Sequence, residues 1–200
     1  MSASRSTPRL RLTIALLAGL VGLVGVSERP LAGSVAGEVI TVAGFACIAV
    51  AALGRLWTSL FIAGFKDTEL VRRGPYAALR HPLYALSLLA MLGVGLASRS
   101  LVLACGMVAV FGVLYARAAH REDAWLEGAH GADFERYRRE VRALLPRWSA
   151  LAVPESLEIR PRVLAKAFLD AGSLLGLYAL LRLADALQRA GVTPTLLVLP

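Results

Sequence analysis

The chain contains few charged residues and very few cysteines for its length. Of its 200 residues, 18% are charged, 57% are hydrophobic and two are cysteines. Cys47 and Cys105 both lie inside apolar runs without the spacing of metal ligands, so we expect neither a disulfide nor a metal site from them. The hydrophobic share and a mean hydropathy of +0.63 exceed those of an ordinary soluble domain. The composition therefore argues against soluble domains and favours one compact membrane domain.

The chain also lacks the context of a dinucleotide site and the spacing of a metal site. Gly19, Gly22 and Gly25 form a glycine pattern, but no predicted strand precedes them, so close helix packing is the better interpretation. His120 and His130 lie ten residues apart, which is not the spacing of a helical ligand pair. We expect both histidines on a solvated surface and predict no metal.

Long apolar stretches are what the chain does have, and they predict five membrane helices. They cover Leu12–Val26, Leu31–Gly54, Leu83–Ala97, Leu101–Ala116 and Val163–Leu187. A helix needs roughly 20 residues to cross ~30 Å of hydrocarbon, so flanking residues must complete the shorter ones. The first stretch has a basic lead like a signal peptide, but Val24–Ser27 is a poor cleavage site and we expect a retained helix. The predicted fold class is an all-α integral membrane bundle of about five helices.

Basic residues are concentrated on one side of these predicted spans. The net charge is +8, and 17 of the 22 Lys and Arg residues fall in Met1–Arg11, Arg55–Arg80 and Arg117–Arg162. The positive-inside rule places that side in the cytoplasm. A composition rich in Ala, Leu, Arg and Gly indicates a bacterial source, so we expect a bacterial inner membrane. Beside membrane spans, the arginines at 136–142 indicate anionic lipid headgroups and no nucleic acid.

Two polar segments lie between the spans on this side. Arg55–Arg80 is predicted to be an interfacial connection, with Trp57 at the membrane surface. In the second segment, Arg117–Arg162, apolar residues recur at helical spacing, which predicts a cytoplasmic amphipathic helix. Its apolar positions are Phe134, Tyr137, Val141 and Leu144.

The stretch Gly74–Tyr84 combines an Arg, a His, two Tyr and two Pro at the edge of an apolar span. Gly74-Pro75 predicts a turn. Pro82 fits the first position of a helix and restricts the residue before it, so a membrane helix is predicted to begin there. Arg80 and His81 then lie at a membrane–water boundary, beside a helix N-terminus that attracts carboxylates and other anions.

This stretch, G-P-Y-x-x-x-R-H-P-x-Y, resembles the signature of the isoprenylcysteine carboxyl methyltransferase family and of the related membrane phospholipid methyltransferases. A second resemblance follows one hairpin later, at Glu122-Asp123, Leu126, Gly131, Phe134, Tyr137, Val141 and Leu145-Pro146. Upstream, Arg55–Trp57 and Lys66–Val71 resemble the segment that leads into the signature, and with them the resemblance covers roughly Arg55–Trp148. The resemblance implies an integral membrane enzyme that uses S-adenosyl-L-methionine. We accordingly divide the chain into an N-terminal transmembrane hairpin (1–54), a methyltransferase core (55–148) and a C-terminal helical tail (149–200).

The resemblance also implies which residues contact the cofactor. The matching positions are Thr68, Glu69, Leu70, Val71, Tyr76, His81, Pro82, Leu83, Tyr84 and Glu122. By their chemistry, Arg80 is suited to the cofactor's carboxylate and the two tyrosines to its adenine or sulfonium. Glu122 is suited to the ribose or amino group. We predict that Glu122 and Arg80 are catalytic.

The methyl acceptor is less narrowly predicted. Displacement at a sulfonium needs positioning but no serine or cysteine triad. The resemblance favours a lipid-like or prenylated carboxylate that enters sideways from the bilayer, with Arg117 and Arg121 as the substrate-binding residues. Ala118 stands where the carboxyl methyltransferases have a substrate-contacting Arg. Other departures are Leu86 for Gly, Asp123 for Glu and Phe134 for Tyr. Phospholipid amine methylation, and a non-catalytic membrane protein, remain open alternatives.

Overall fold

The computed structural model describes residues 19, 27–28, 33–62, 69–151, 153–157, 159, 161–193 and 197–198. These residues form six α-helices: α1 (Val35–Ile62), α2 (Pro75–Ala78), α3 (Pro82–Ala97), α4 (Leu101–His130), α5 (Ala132–Glu140) and α6 (Pro161–Arg189). A 3₁₀ turn covers Trp148–Ala150. Two short strands, β1 (Ser27–Glu28) and β2 (Leu197–Val198), pair in parallel. Apart from this two-residue ladder, the described chain is all-α.

Three of the helices are long and apolar enough to cross a membrane. They are α1, α4 and α6, with 28, 30 and 29 residues. Helix α3 is equally apolar but has 16 residues, a length of about 24 Å at 1.5 Å per residue. Large apolar side chains such as Val42, Val110 and Leu169 stay exposed on the outside of the bundle, as contact with lipid requires. The protein is an integral membrane helical bundle, which confirms the predicted fold class; the predicted span Leu12–Val26 lies outside the described residues.

Two of the predicted boundaries were wrong. Helix α1 continues to Ile62, two turns beyond the predicted end at Gly54, so the first part of Arg55–Arg80 is membrane helix and not connection. It continues because the Arg55 side chain finds hydrogen-bond partners inside the bundle. The predicted span Leu101–Ala116 is only the apolar first half of helix α4. The charged residues that follow it stay in the same helix, which ends at His130.

The predicted amphipathic helix is shorter than its apolar pattern. Phe134 and Tyr137 lie on α5 and are buried, at 0% and 2% exposure. Val141, however, caps α5 with extended backbone, φ −114° and ψ 123°, so neither Val141 nor Leu144 belongs to the helix. The chain turns there and runs back over the Gly74–Tyr84 stretch.

Close approaches of small residues hold the membrane helices together. A Cβ on Gly44 of α1 would lie 2.7 Å from the carbonyl oxygen of Gly93 on α3, and a Cβ on Gly93 would lie 2.7 Å from Gly44 O. A Cβ on Gly95 would lie 2.2 Å from Ala104 Cα across the α3–α4 hairpin. Small residues allow such backbone contacts between membrane helices.

A buried arginine closes one end of the bundle. Arg99, in the turn between α3 and α4, has a φ of 59° and a fully buried side chain. Its Nε donates to Thr41 Oγ1 at 3.1 Å, its Nη2 to Glu38 Oε1 at 2.5 Å, and its Nη1 to both Asp185 carboxylate oxygens at 3.4 Å. Charges at membrane depth are costly unless paired, and this network pairs residues of α1 and α6 with the turn.

The opposite end is closed by the chain after α4. Tyr137 OH donates to the Tyr76 carbonyl at 2.8 Å, and the Arg147 amide donates to Ala78 O at 2.9 Å. The Arg80 amide donates to Arg142 O, also at 2.9 Å. These bonds place α5 and the segment that follows it over the Gly74–Tyr84 stretch, and we call this part, residues 132–150, the cap.

Candidate active site

Two adjoining cavities lie at the capped end of the bundle. The outer cavity has a volume of about 590 Å³ and the inner one about 360 Å³. Both fall in the size range of small-molecule sites, ~300–1,000 Å³. Their shared walls are Ile62, Tyr76, Arg80, His81, Tyr84 and Glu122. A molecule in either cavity therefore contacts the same group of polar and aromatic side chains.

Most of the residues singled out from the sequence meet here. The outer cavity is additionally lined by Glu69, Leu70, Val71, Ala118, Arg121, Trp125, Leu126 and Tyr137. The inner cavity is additionally lined by Arg55, Pro82, Leu83, Ser87 and Tyr115. Arg117 lines neither cavity; it is exposed, and its carbonyl accepts a hydrogen bond from Arg121 Nε at 3.2 Å. Thr68 lies outside the described residues.

Gly74 and the two prolines fix the backbone of this wall. Gly74 has a φ of 59°, and a Cβ there would lie 2.3 Å from the Phe61 ring, so a side chain is excluded by both conformation and space. Pro82 begins α3, as predicted, whereas Pro75, where a turn was predicted, begins the one-turn helix α2. Tyr76 on α2 and His81 in the link before α3 are 7% and 4% exposed, and both line the two cavities.

A single carboxylate holds Arg80 and His81 in place. Asp123 Oδ2 lies 3.1 Å from Arg80 Nη2, and Asp123 Oδ1 lies 2.9 Å from His81 Nε2. Arg80 Nη1 also donates to the carbonyls of Arg138 and Val141, at 3.3 and 3.4 Å. Arg80 thus connects the wall, α4 and the cap, and most of its guanidinium is committed to protein partners.

The hydrogen bond to Asp123 also determines where His81 carries its proton. Burial lowers the pKa of His81 below its ordinary 6.5, against the opposing effect of Asp123 and Glu122, so the ring is neutral at pH 7. A carboxylate only accepts hydrogen bonds, so the single ring proton is on Nε2 and Nδ1 is an acceptor.

His81 Nδ1 lies 3.9 Å from Glu122 Oε2. Neither atom receives a hydrogen bond from within the described part of the chain. Two acceptors at this separation, on the shared wall of both cavities, suit a ligand group that donates hydrogen bonds, such as an ammonium or a hydroxyl.

Aromatic rings form the rest of the shared wall. Tyr84 stacks on Tyr115 with centroids 5.7 Å apart and lies 5.7 Å from the His81 ring. Burial raises the pKa values of Tyr76 and Tyr137, so both phenols stay neutral at physiological pH. Neutral aromatic faces attract cationic groups that have lost their water.

Three polar residues of the inner cavity, Arg55, Ser87 and Tyr115, were not identified as site residues from the sequence. Tyr115 and Ser87 lie within apolar spans and give no periodic or motif signal. Arg55 did give one, because it interrupts an apolar stretch, and a charge at membrane depth indicates a functional site. The predicted interfacial connection Arg55–Arg80 contains it, however, and a basic residue is ordinary there.

An all-α membrane bundle with a polar, aromatic-lined cavity at one end defines an integral membrane protein with a candidate small-molecule site. The chain belongs to the phospholipid methyltransferase family (PEMT), whose family model matches residues 34–133. This confirms the family resemblance proposed from the two motifs. The match covers the chain from the start of α1 into α5, and the rest of the cap and α6 lie beyond it.

The chain is also similar to two proteins named for metal resistance. It is 32% identical over 145 residues to the cobalt-zinc-cadmium resistance protein CzcN of Cupriavidus metallidurans, covering 72% of this chain and 67% of that protein. It is 30% identical over 153 residues to the nickel-cobalt-cadmium resistance protein NccN of Alcaligenes xylosoxydans xylosoxydans, covering 76% and 71%. No solved structure matches the chain significantly. Among the residues that the structure describes, no three His, Cys, Asp or Glu side chains are grouped to hold a metal.

Proposed function

We propose that the protein is an S-adenosyl-L-methionine-dependent methyltransferase that acts on a lipid-like acceptor at the membrane surface. One observation carries the proposal: neutral aromatic rings and a pair of hydrogen-bond acceptors converge on two adjoining cavities next to the apolar bundle. Membership of the phospholipid methyltransferase family supports the reaction type.

The outer cavity suits the cofactor. Its wall offers Tyr76 and Tyr84 to a sulfonium or an adenine, and Arg121 to a carboxylate. Glu122 accepts from an amino group or a ribose hydroxyl. S-adenosylmethionine, when bound, supplies an electrophilic methyl group. The residues named hold it, orient it and exclude water, which is what an in-line displacement requires.

The acceptor that fits best is an amine on a lipid head. A primary amine is protonated at neutral pH and must lose a proton before it attacks. His81 Nδ1 is an available proton acceptor, and Glu122 stabilises the incoming positive charge. A carboxylate acceptor, which the sequence favoured, would instead approach the like charge of Glu122, which lies on the wall of both cavities.

The test is transfer of radiolabelled methyl groups from S-adenosylmethionine to a membrane lipid extract by the purified protein. We expect label in lipid that stays non-volatile after mild base, because an N–CH₃ bond survives base whereas a methyl ester releases volatile methanol. Glu122→Ala should weaken cofactor binding by about 1.5–3 kcal/mol, the value of one charge-assisted hydrogen bond. Glu127→Ala, one turn along α4 and outside the cavity walls, is the matched control. Base-labile label would favour the carboxylate, and absence of both binding and transfer would refute the proposal.

We further propose that the capped end faces the cytoplasm, where S-adenosylmethionine is made. Arg55 lies inside α1, so it no longer counts toward the basic side, but the cap and the end of α4 remain rich in arginine. A cysteine at exposed Glu140, in a variant without Cys47 and Cys105, should resist an impermeant reagent in intact cells. One at exposed Val192, past the other end of α6, should react. The reverse pattern would overturn this orientation.

A further inference from the structure

Arg55 lies within membrane helix α1, and its basic side chain forms part of the wall of the inner cavity. Its Nε and Nη2 donate to Asp170 Oδ2 on α6 at 2.9 and 2.5 Å. Its Nη1 donates to Leu83 O at 3.4 Å and closely to Ser87 Oγ, both on α3. The residue therefore joins three helices, and it does so at the cavity and not in a sealed core.

The pairing with Asp170 is incomplete in two respects. Both hydrogen bonds go to one carboxylate oxygen, so the two-oxygen fork that matches a guanidinium is not formed. A guanidinium has five N–H groups, and these contacts use four, which leaves one Nη2–H without an acceptor in the described part of the chain. Asp170 is also 43% exposed, against 20% for Arg55, although it lines neither of the two cavities.

The buried network at the other end of the bundle provides a contrast. There Asp185 is 4% exposed and offers both oxygens to Arg99, whose side chain is fully buried. An enclosed network of this kind is expected where an ion pair only stabilises the fold. The Arg55–Asp170 pair has an exposed partner, an unused donor and an adjoining cavity of about 360 Å³.

We propose that the inner cavity is an anion subsite in which Arg55 binds the phosphate of the lipid acceptor. Asp170 occupies the guanidinium in the absence of substrate and is displaced when the lipid enters. This inference rests on the proposed function, since it supplies the second half of the acceptor site. Phosphate on Arg55 places the head amine of the same lipid toward His81 and Glu122, which line the same cavity.

Displacement of Asp170 keeps the charge of Arg55 compensated. The phosphodiester brings one negative charge to Arg55, replacing the one that leaves, and its two free oxygens fit the fork that Asp170 leaves unfilled. Asp170 is already half exposed at the edge of the bundle. Leu169 beside it is 76% exposed, so this part of α6 borders lipid and offers the acyl chains an apolar path.

The experiment measures lipid binding to the purified full-length protein by native mass spectrometry, apart from turnover. The probes are phosphatidylethanolamine, a diacyl lipid with an amine but no phosphate, and free inorganic phosphate as competitor. Asp170→Asn removes the competing charge and should tighten phosphatidylethanolamine binding several-fold. Arg55→Gln should weaken it by about tenfold or more, the affinity equivalent of one charge-assisted hydrogen bond. The lipid without phosphate should respond to neither change.

Asp133→Asn, an exposed aspartate in the cap, is the matched control and should change nothing. The opposite signs expected for the two variants keep the proposal testable even where Arg55→Gln folds poorly. Unchanged or weakened lipid binding in Asp170→Asn would overturn the proposal and show that the Arg55–Asp170 pair only stabilises the fold. Competition by inorganic phosphate as strong as by the lipid would overturn the assignment to a lipid. If the wild type transfers no methyl group while these binding differences persist, the proposed function fails and the anion subsite stands.

Discussion

Replacing Arg99 by methionine should strongly destabilise the bundle. Methionine keeps an apolar stem of similar reach but removes the charge. The change deletes the hydrogen bonds to Thr41, Glu38 and Asp185 and leaves a carboxylate that is 4% exposed without its buried partner. Removing one partner of a buried ion pair typically costs about 3–5 kcal/mol.

Two features place the expected loss at the low end of that range, about 3 kcal/mol. Glu38 is 52% exposed, so water replaces much of what its bond to Arg99 supplies. Arg182 Nη1 and Arg189 Nη2 lie 3.2 and 3.0 Å from Asp185 Oδ2 and partly neutralise the remaining carboxylate. Because Arg99 and Asp185 are in direct contact, the double mutant Arg99→Met with Asp185→Asn should lose less than the sum of the two single changes.

The assay is unfolding by titrated detergent in mixed micelles, followed by tryptophan fluorescence. Arg139→Met is the matched control, because Arg139 is 74% exposed and its contact with Glu135 is 3.9 Å long; it should cost less than about 0.5 kcal/mol. Arg99→Lys should lie between the two. Equal unfolding free energies for Arg99→Met and Arg139→Met would refute the buried network as a source of stability.

Two further outcomes are expected at the capped end. Tyr137→Phe removes the buried 2.8 Å bond to the Tyr76 carbonyl and should lower the free energy of unfolding by about 1–3 kcal/mol, with faster hydrogen exchange in the cap; an unchanged cap would contradict its role. Burial lowers the pKa of His81 in the folded protein below 6.5. As the pH falls, the imidazole is therefore protonated in the unfolded chain before it is protonated in the folded one. The free energy of unfolding should decrease below pH 6.5 until folded His81 is itself protonated. His81→Gln should remove this part of the pH dependence and His120→Gln, on the exposed face, should keep it; identical profiles for wild type and His81→Gln would contradict the assignment.

The sequence indicated the helices better than it indicated their ends. Apolar content over some twenty residues is a local property, so the spans could be predicted without knowing their partners. The ends depend on whether a charged residue finds a partner inside the bundle. Arg55 does, through residues of α3 and α6, and α1 therefore continues to Ile62. The second half of α4 is charged but helical, and hydropathy alone does not detect such an extension.

By itself, the sequence determined the membrane class, the family, and the wall made by Gly74–Tyr84. It could do so because the two prolines and Gly74 act on their own backbone, and a motif fixes its neighbours by chain connectivity. Only the tertiary structure decided what faces that wall. Arg55 and Asp170 are 115 residues apart in the chain, and His81 and Asp123 are 42 apart. Such pairs are selected by helix packing and cap closure, which bring together side chains whose separation in sequence carries no periodic signal.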